Sequence, residues 1–248
     1  MNRHSYSGGS GVGVECLSFE SPQALAAAVA ARWLAELPRG QKQVAALSGG
    51  RIAREFCSAV ASLVREEPAA LDGVHFFWAD ERCVPPDDPE SNFRLARELL
   101  FKPLAMPPDR IHRQRGEVPP AVAVAEANAQ FLGWASRDAA GLPVLDWVFL
   151  GMGEDGHVAS LFPGASEAVI EVPGPYLAVT GPKPPPSRIT LSYGVIAAAR
   201  EVWVLASGAG KEQALAESLA GGETPLGRIL RSRARTRVFT DIRRDPDP

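Results

Sequence analysis

Between Gln43 and Glu66 the chain runs through a short apolar stretch, "QVAAL", breaks into "SGG", and continues as "RIAREFCSAVASLVRE" with apolar side chains at helical spacing. That order describes a buried strand, a glycine turn and a helix. The same alternation recurs along the chain, and it constrains the fold more than any other feature. Strands separated by helices cross over rather than turn back, so they build a mostly parallel sheet with helices on both faces. The expected fold class is therefore α/β.

Further elements follow from the same signals. "PQALAAAVAARWLAEL" (Pro22 to Leu37) is expected as a helix, with Ser21 as N-cap and Pro22 at the first helical position. Val74 to Trp78 is an apolar strand that opens into charge and proline. "FRLARELLFKPL" and the longer "AVAVAEANAQFLGWASRDA" have helical patterns, and Leu145 to Leu150 is a strand. Tyr176 to Thr180 is a strand; "GPKPPPSRITLS" is a proline-stiffened loop leading into "RITLS", and a short helix, "GVIAAAR", follows. Glu201 to Ser207 is strand-like, "GKEQALAESLA" is helical, "PLGRIL" is a short helical turn and "RVFTD" is a last strand. No tandem repeat and no low-complexity linker divides the chain. Residues 1–13 are expected to be a flexible lead-in and residues 14–248 a single domain.

Composition narrows the function classes. At 46% hydrophobic and 22% charged residues, the chain has ample core material. A net charge of −3 points away from nucleic acid and from an anionic membrane as partners. No apolar run has the length of a transmembrane helix, and the first residues lack the apolar region of a secretory signal. Cys16, Cys57 and Cys83 are too few and too widely spaced for a disulfide framework or a zinc site; a reducing cytoplasm fits, with Cys57 and Cys83 as small buried hydrophobes. One small-molecule substrate, no metal, and a monomer or small homo-oligomer are the expectations.

In a parallel α/β sheet, ligands sit beyond the carboxyl ends of the strands. Three unusual segments follow expected strands, namely Ser48 to Arg51, Asp80 to Arg82 and Gly151 to His157, and they should meet at one edge. Ser48-Gly49-Gly50 before a helix either cradles an anion on free N–H groups or is only a tight turn. It matches neither G-x-x-x-x-G-K-[ST] nor G-x-G-x-x-G. Asp80-Glu81-Arg82 either holds a phosphate through Arg82 or is a solvated loop with its own ion pair. His157 sits in a glycine turn with Asp155 two residues upstream, an arrangement suited to general acid–base work. A structural role fits His4, His75 and His112 better. Lys183 and Arg188 lie on the proline-stiffened loop, and Lys211 opens a helix where a cation opposes the dipole; each serves an anionic ligand or is merely solvated. One histidine with scattered acids is not a metal-ligand set, and no G-x-S-x-G elbow is present.

Taken together, "ALSGG", "WADERCVPPDDPESNFRLARELL", "LDWVFLGMGEDGHVASLFPG" and "PKPPPSRITLSYGVIAAAREVWVLASGAGKEQAL" resemble the 6-phosphogluconolactonases, in family order, from about the first helix to Asp241. The wider superfamily includes glucosamine-6-phosphate deaminases and sugar-phosphate-sensing domains. The resemblance implies a Rossmann-like domain, a phosphosugar lactone as substrate, the oxidative pentose phosphate pathway, and no organic cofactor or metal. It implies His157 as the base that activates water and Asp155 as the group that orients its ring. The glycines, Gly153 among them, bring backbone close to the sugar. Phosphate would rest on cations drawn from Arg82, Lys183, Arg188 and Lys211, with the Gly49 and Gly50 amides, and Asp80 would line the substrate site. Two departures stand out. Where the family commonly has Ser-Thr-Pro after the double glycine, this chain has Arg51-Ile52-Ala53, so Arg51 either replaces the lost donors or turns to solvent. Where the deaminases carry a glutamate five residues after the motif histidine, this chain has Phe162, which cannot move protons. A deaminase or isomerase and a non-catalytic sensor are the alternatives; Phe162 counts against the first, and His157 with the absence of a basic DNA-binding module against the second.

Overall fold

The computed structural model describes residues 2–8, 12–139 and 143–242. The chain opens with β1 (Asn2–Gly8), β2 (Val12–Ser18), α1 (Pro22–Glu36), β3 (Gln43–Leu47) and α2 (Arg51–Glu66). Next come β4 (Val74–Trp78), β5 (Asp80–Arg82) and α3 (Asn92–Ala96), which runs on into a π-helical turn over Arg97–Phe101. They are followed by α4 (Pro120–Trp134), β6 (Ser136–Arg137), β7 (Pro143–Val144), β8 (Trp147–Gly151) and α5 (Glu167–Ile170). The remainder is β9 (Tyr176–Thr180), β10 (Ser187–Leu191), α6 (Tyr193–Ala198), β11 (Glu201–Ala206), α7 (Glu212–Leu219), α8 (Pro225–Arg231) and β12 (Arg235–Thr240).

Seven strands form the central sheet in the order β1-β2-β12-β11-β8-β3-β4, parallel except for the β1–β2 pair. Alternate residues of each central strand serve opposite faces. Val44, Ala46, Val148, Leu150, Val202 and Val204 pack on one side with Phe131 of α4 and Leu226 and Ile229 of α8. Ala45, Leu47, Trp147, Phe149, Trp203 and Leu205 pack on the other with Trp33 of α1 and Phe56 of α2. That two-sided burial is why these strands read as unbroken apolar runs. The Trp33 ring meets Phe149 edge-on at 5.0 Å between centroids. Helix α1 starts as expected, the Ser21 hydroxyl accepting from the Ala24 N–H at 3.2 Å. Cys57 is buried, which pushes its thiol up to about 12, whereas Cys83 is only partly buried at the core margin.

Four features differ from the sequence reading. Residues 2–8, expected within a flexible lead-in, pair antiparallel with β2 from Asn2↔Ser18 to Gly8↔Val12. "NRHSYSG" carries no apolar alternation, and edge pairing through backbone N–H and C=O groups leaves no side-chain signature. Strand β2 itself begins inside that segment, at Val12. The helix expected to run through "ASRDA" ends at Trp134, and Ser136–Arg137 pair with Pro143–Val144. Finally, β9 and β10 do not join the main sheet. They form a separate antiparallel sheet, β5-β10-β9, with Asp80–Arg82 as its edge.

His75 and His112 occupy the opposite end of β4 from the glycine turns. Their Nδ1 and Nε2 atoms lie 3.0 Å apart, both rings pack on Trp134, and the Lys42 ammonium stands over the same indole. One proton bridges two neutral rings. Burial, then His75 and Lys42, push His112 down to about 4 from 6.5, against a weak opposing effect of Asp109. Burial, then Lys42 and Arg110, also lower His75, again against Asp109. The unfolded chain therefore takes up protons that the native pair refuses as pH falls from 6.5 toward about 4, and stability declines across that window. Melting temperature is expected to drop between about pH 7 and about pH 5, less steeply in a His75→Phe/His112→Phe variant. Parallel curves for the two proteins would show that the pair contributes nothing to the slope.

Candidate active site

The carboxyl ends of β3, β4, β8 and β11 open into one cleft. Ser48 to Arg51, Asp80, Arg82 and His157 all border it, so the three segments singled out in the sequence do meet. Arg188 and Lys211 border it as well. Lys183 and Asp155 face a neighbouring groove that shares Arg82, His157 and Arg188 with the cleft.

His157 is presented by a tight loop after β8. The Gly153 N–H donates to the His157 carbonyl at 2.8 Å and the Gly156 N–H to the Gly153 carbonyl at 3.1 Å. Gly156 adopts φ +78°, which favours glycine. At Gly153 the requirement is steric, since a Cβ there would lie 2.0 Å from His157 Nδ1. The His157 ring occupies the space of that missing side chain. Its Nδ1 is 2.5 Å from Asp155 Oδ1, and the His157 backbone N–H donates to the same oxygen at 3.1 Å. Burial opposes the Asp155 charge, but these hydrogen bonds and the His157 charge outweigh it and lower the carboxyl pKa. A carboxylate only accepts, so Nδ1 carries a proton, and in the neutral ring this tautomer leaves the lone pair on Nε2. On the other side the ring meets Phe162, at 4.9 Å between centroids.

The cations divide by their partners. Buried Arg237 contrasts with those of the cleft, since three carboxylates, Glu15, Glu36 and Glu201, surround it. Arg188 is 7% exposed, yet among the described residues its guanidinium donates only to the carbonyls of Pro185, at 2.7 Å, and Lys183, at 3.3 Å. Burial and then the neighbouring Arg82 lower its pKa. Lys211 is lowered by burial and then by Arg51, and no described carboxylate ion-pairs with either. Arg51 is exposed and its guanidinium lies against Gly208, on the cleft side of α2. Arg82 is partly committed, reaching the Glu90 carboxylate at 3.2 Å, while its buried Nε has no partner among the described residues. Arg51, Arg188 and Lys211, held close together with no described carboxylate in direct ion-pair contact, favour an anion between them. The N-terminus of α2 adds to this, because Gly50 at φ +92° caps it with no side chain and leaves its first N–H groups free.

The sheet that the sequence reading did not anticipate sets much of this geometry. Its register places Arg188 opposite Arg82 and Thr190 opposite Asp80. Asp80 is buried and accepts from the Ser160 hydroxyl at 2.7 Å. Glu81 points away from the cleft and accepts from the N–H groups of Arg82, Asn92 and Phe93, each at 2.8 Å. Burial nevertheless pushes it up to about 7. Four contributors went unread in the sequence. Asn92 borders the cleft beside Gly49, Ser160 holds Asp80, and Asp241 accepts from the Ser207 hydroxyl and the Gly208 N–H, both at 3.2 Å. Asn92 ends "DERCVPPDDPESN" and was within reach of motif reading; the other three, Ser160, Ser207 and Asp241, have no local signal. Among the described residues, no three His, Cys, Asp or Glu side chains group to hold a metal ion, and no helix is long and apolar enough to cross a membrane.

Residues 20–238 match the family model described as glucosamine-6-phosphate isomerases/6-phosphogluconolactonase. The chain is 38% identical over 231 residues to a Streptomyces coelicolor protein named 6-phosphogluconolactonase, a match covering 88% of each chain. Among solved structures it resembles one titled crystal structure of devB protein, at 30% identity and a TM-score of 0.83, over 92% of this chain and 96% of that one. It also resembles the 6-phosphogluconolactonase of Trypanosoma brucei, at 28% identity and a TM-score of 0.75, over 91% and 95%.

Proposed function

The chain belongs to the glucosamine-6-phosphate isomerase/6-phosphogluconolactonase family, and we propose that it is a 6-phosphogluconolactonase, hydrolysing 6-phospho-D-glucono-1,5-lactone to 6-phospho-D-gluconate. The observation that carries this reading is the Asp155–His157 contact at 2.5 Å, on a histidine that borders a cleft gathering Arg51, Arg82, Arg188 and Lys211. The lactonase name of its relatives supports it, and so does the hydrocarbon ring of Phe162 against His157, where an isomerase reaction would want a second proton carrier.

In this reading Asp155 holds the proton on Nδ1, and Nε2 takes a proton from water as its oxygen adds to C1 of the lactone. The carbonyl becomes a tetrahedral oxyanion. The bond from C1 to the ring oxygen then breaks, the ring oxygen takes the proton from Nε2, and the new carboxylic acid ionises. Asp155 stabilises the imidazolium between the two steps. No step requires a metal or an organic cofactor. The phosphate rests on Arg188, Lys211 and Arg51, with the Gly49 and Gly50 amides, while Arg82 and Lys183 complete the rim and Asp80 lines the sugar side. Binding energy from the remote phosphate positions the lactone for attack. The reaction belongs to the oxidative pentose phosphate pathway, in the cytoplasm.

The test is the decay of lactone freshly made from glucose 6-phosphate. A rate indistinguishable from spontaneous hydrolysis at high protein concentration would overturn the reading. The same assay decides the part played by Arg51. Arg51→Ala is expected to raise KM for the phosphorylated lactone and to leave unphosphorylated gluconolactone unaffected. A charge-assisted hydrogen bond contributes about 1.5–3 kcal/mol when well formed. Arg51 is exposed and shares its anion with other cations, so the loss should sit at the lower end, about 10-fold in kcat/KM. Equal kinetics of mutant and parent on the phosphorylated substrate would remove Arg51 from the phosphate site.

A further inference from the structure

We propose that Asn92 is a specificity-determining residue whose Oδ1 accepts a hydrogen bond from one ring hydroxyl of the substrate. The inference rests on the lactonase reading and adds a residue to it.

Asn92 is 3% exposed and opens α3, where Glu81 fixes its backbone N–H at 2.8 Å. Its Nδ2 donates to the Asp80 carbonyl at 2.8 Å and approaches Asp80 Oδ1 at 3.4 Å. Both neighbours are acceptors, and this chemistry orients the amide. Exchanging O and N would set an oxygen against two oxygens. The carbonyl oxygen of the amide therefore lies on the other side, toward Gly49, where it takes the place of a side chain; a Cβ on Gly49 would lie 1.7 Å from it. Both residues border the cleft. Among the described residues no donor reaches Oδ1, and the oxygen is not sealed in the protein: it opens to the cleft, where a ligand can meet it.

The rest of the cleft explains what would satisfy it. Arg51, Arg82, Arg188, Lys211 and the glycine amides are donors and suit a phosphate. Asn92 Oδ1 and the Asp80 carboxylate are acceptors and would repel one. Asp80 Oδ2 is already taken by the Ser160 hydroxyl at 2.7 Å. An acceptor open to the cleft suits a neutral donor, and a sugar phosphate supplies it in the hydroxyls of its ring. A ligand that carries both an anion and hydroxyls matches a cleft that offers both donors and acceptors.

The experiment compares kcat/KM for the parent lactone and its 2-, 3- and 4-deoxy analogues, each above spontaneous hydrolysis, in the parent protein, Asn92→Ala and Asn92→Asp. In the parent protein, one deoxy lactone should be poorer by roughly 3- to 10-fold, the contribution of one neutral hydrogen bond. Asn92→Ala should bring that analogue level with the parent lactone while leaving the other ratios alone. Asn92→Asp replaces the Nδ2 donor by an oxygen facing two oxygens of Asp80, so it should lose the discrimination as Asn92→Ala does. Ratios within one preparation do not depend on the fraction folded. Equal losses on all four lactones in Asn92→Ala would mark a purely structural residue and overturn the proposal. So would a parent protein indifferent to every deoxygenation, a result that stands even where Asn92→Ala fails to fold. A parent protein inactive on the parent lactone would overturn the lactonase reading and this proposal together, whereas the other two results would leave that reading intact.

Discussion

His157→Ala is expected to fold as the parent does and to lose hydrolytic rate by ~10²–10⁴-fold, the usual contribution of a positioned acid–base group. The side chain is one-third exposed and fills no core cavity, so its removal should leave the melting temperature nearly unchanged. Catalysis loses both proton transfers at once, because one imidazole takes the proton from water and returns it to the ring oxygen. The loss should appear in kcat with KM little altered, since the phosphate contacts lie on other residues. Lactone decay must be corrected for spontaneous hydrolysis, which sets the floor of the assay. Activity within a few-fold of the parent would dismiss His157 as the base. Asp155→Asn provides the companion measurement: the amide can still meet Nδ1 but no longer holds the right tautomer or balances the imidazolium, so kcat should fall while the fold stays intact.

Gly153→Ala should cost activity without touching a reacting group, by about 10²-fold, the size of effect that a displacement near 1 Å can produce. Gly153 does not sit at positive φ, so its backbone tolerates alanine. The conflict is confined to the side chains. A Cβ would lie 2.0 Å from Nδ1, 2.1 Å from Cε1 of His157 and 2.8 Å from Asp155 Oδ1. The ring must swing out and the Asp155 contact must break or lengthen. The expected signature is a fall in kcat with KM and melting temperature close to the parent. A well-folded Gly153→Ala with unchanged kcat would show that the observed ring position is not the working one. It would argue against the Asp155–His157 pair even with His157 itself essential.

Much of the architecture was legible because its causes are local. Helix α2 runs from Arg51 to Glu66 and β4 from Val74 to Trp78, as the sequence reading expects, since apolar spacing and a glycine stop do not depend on distant residues. The Ser21 cap is equally local. The glycine-rich loop with His157 and Asp155 was legible for the same reason, two residues apart on one turn. Strand β1 was not, because an edge strand can pair through backbone alone. Nor was the small sheet. "YLAVT" and "SRITL" look like any other half-buried strands, and nothing in them says that they leave the main sheet to pair with Asp80–Arg82.

The sequence by itself determined an α/β fold, the order of its elements, and a loop that sets an imidazole against a carboxylate. It also supplied the stock of cations at strand ends. Only the tertiary structure decided which of those cations meet. Arg188 stands opposite Arg82 through a register spanning about a hundred residues of chain, and Arg51 and Lys211 approach each other from the starts of α2 and α7. The structure also decided that Arg237, no less basic in sequence, is spent on three carboxylates in the framework. It was the same for Asn92, whose free oxygen follows from the partner its amide nitrogen finds on Asp80. The physical reason is common to all of these. A turn or a helix is set by torsions and contacts a few residues apart. Whether a charge or an amide is satisfied depends on what the folded chain brings within about 3 Å of it, and sequence spacing does not report that distance.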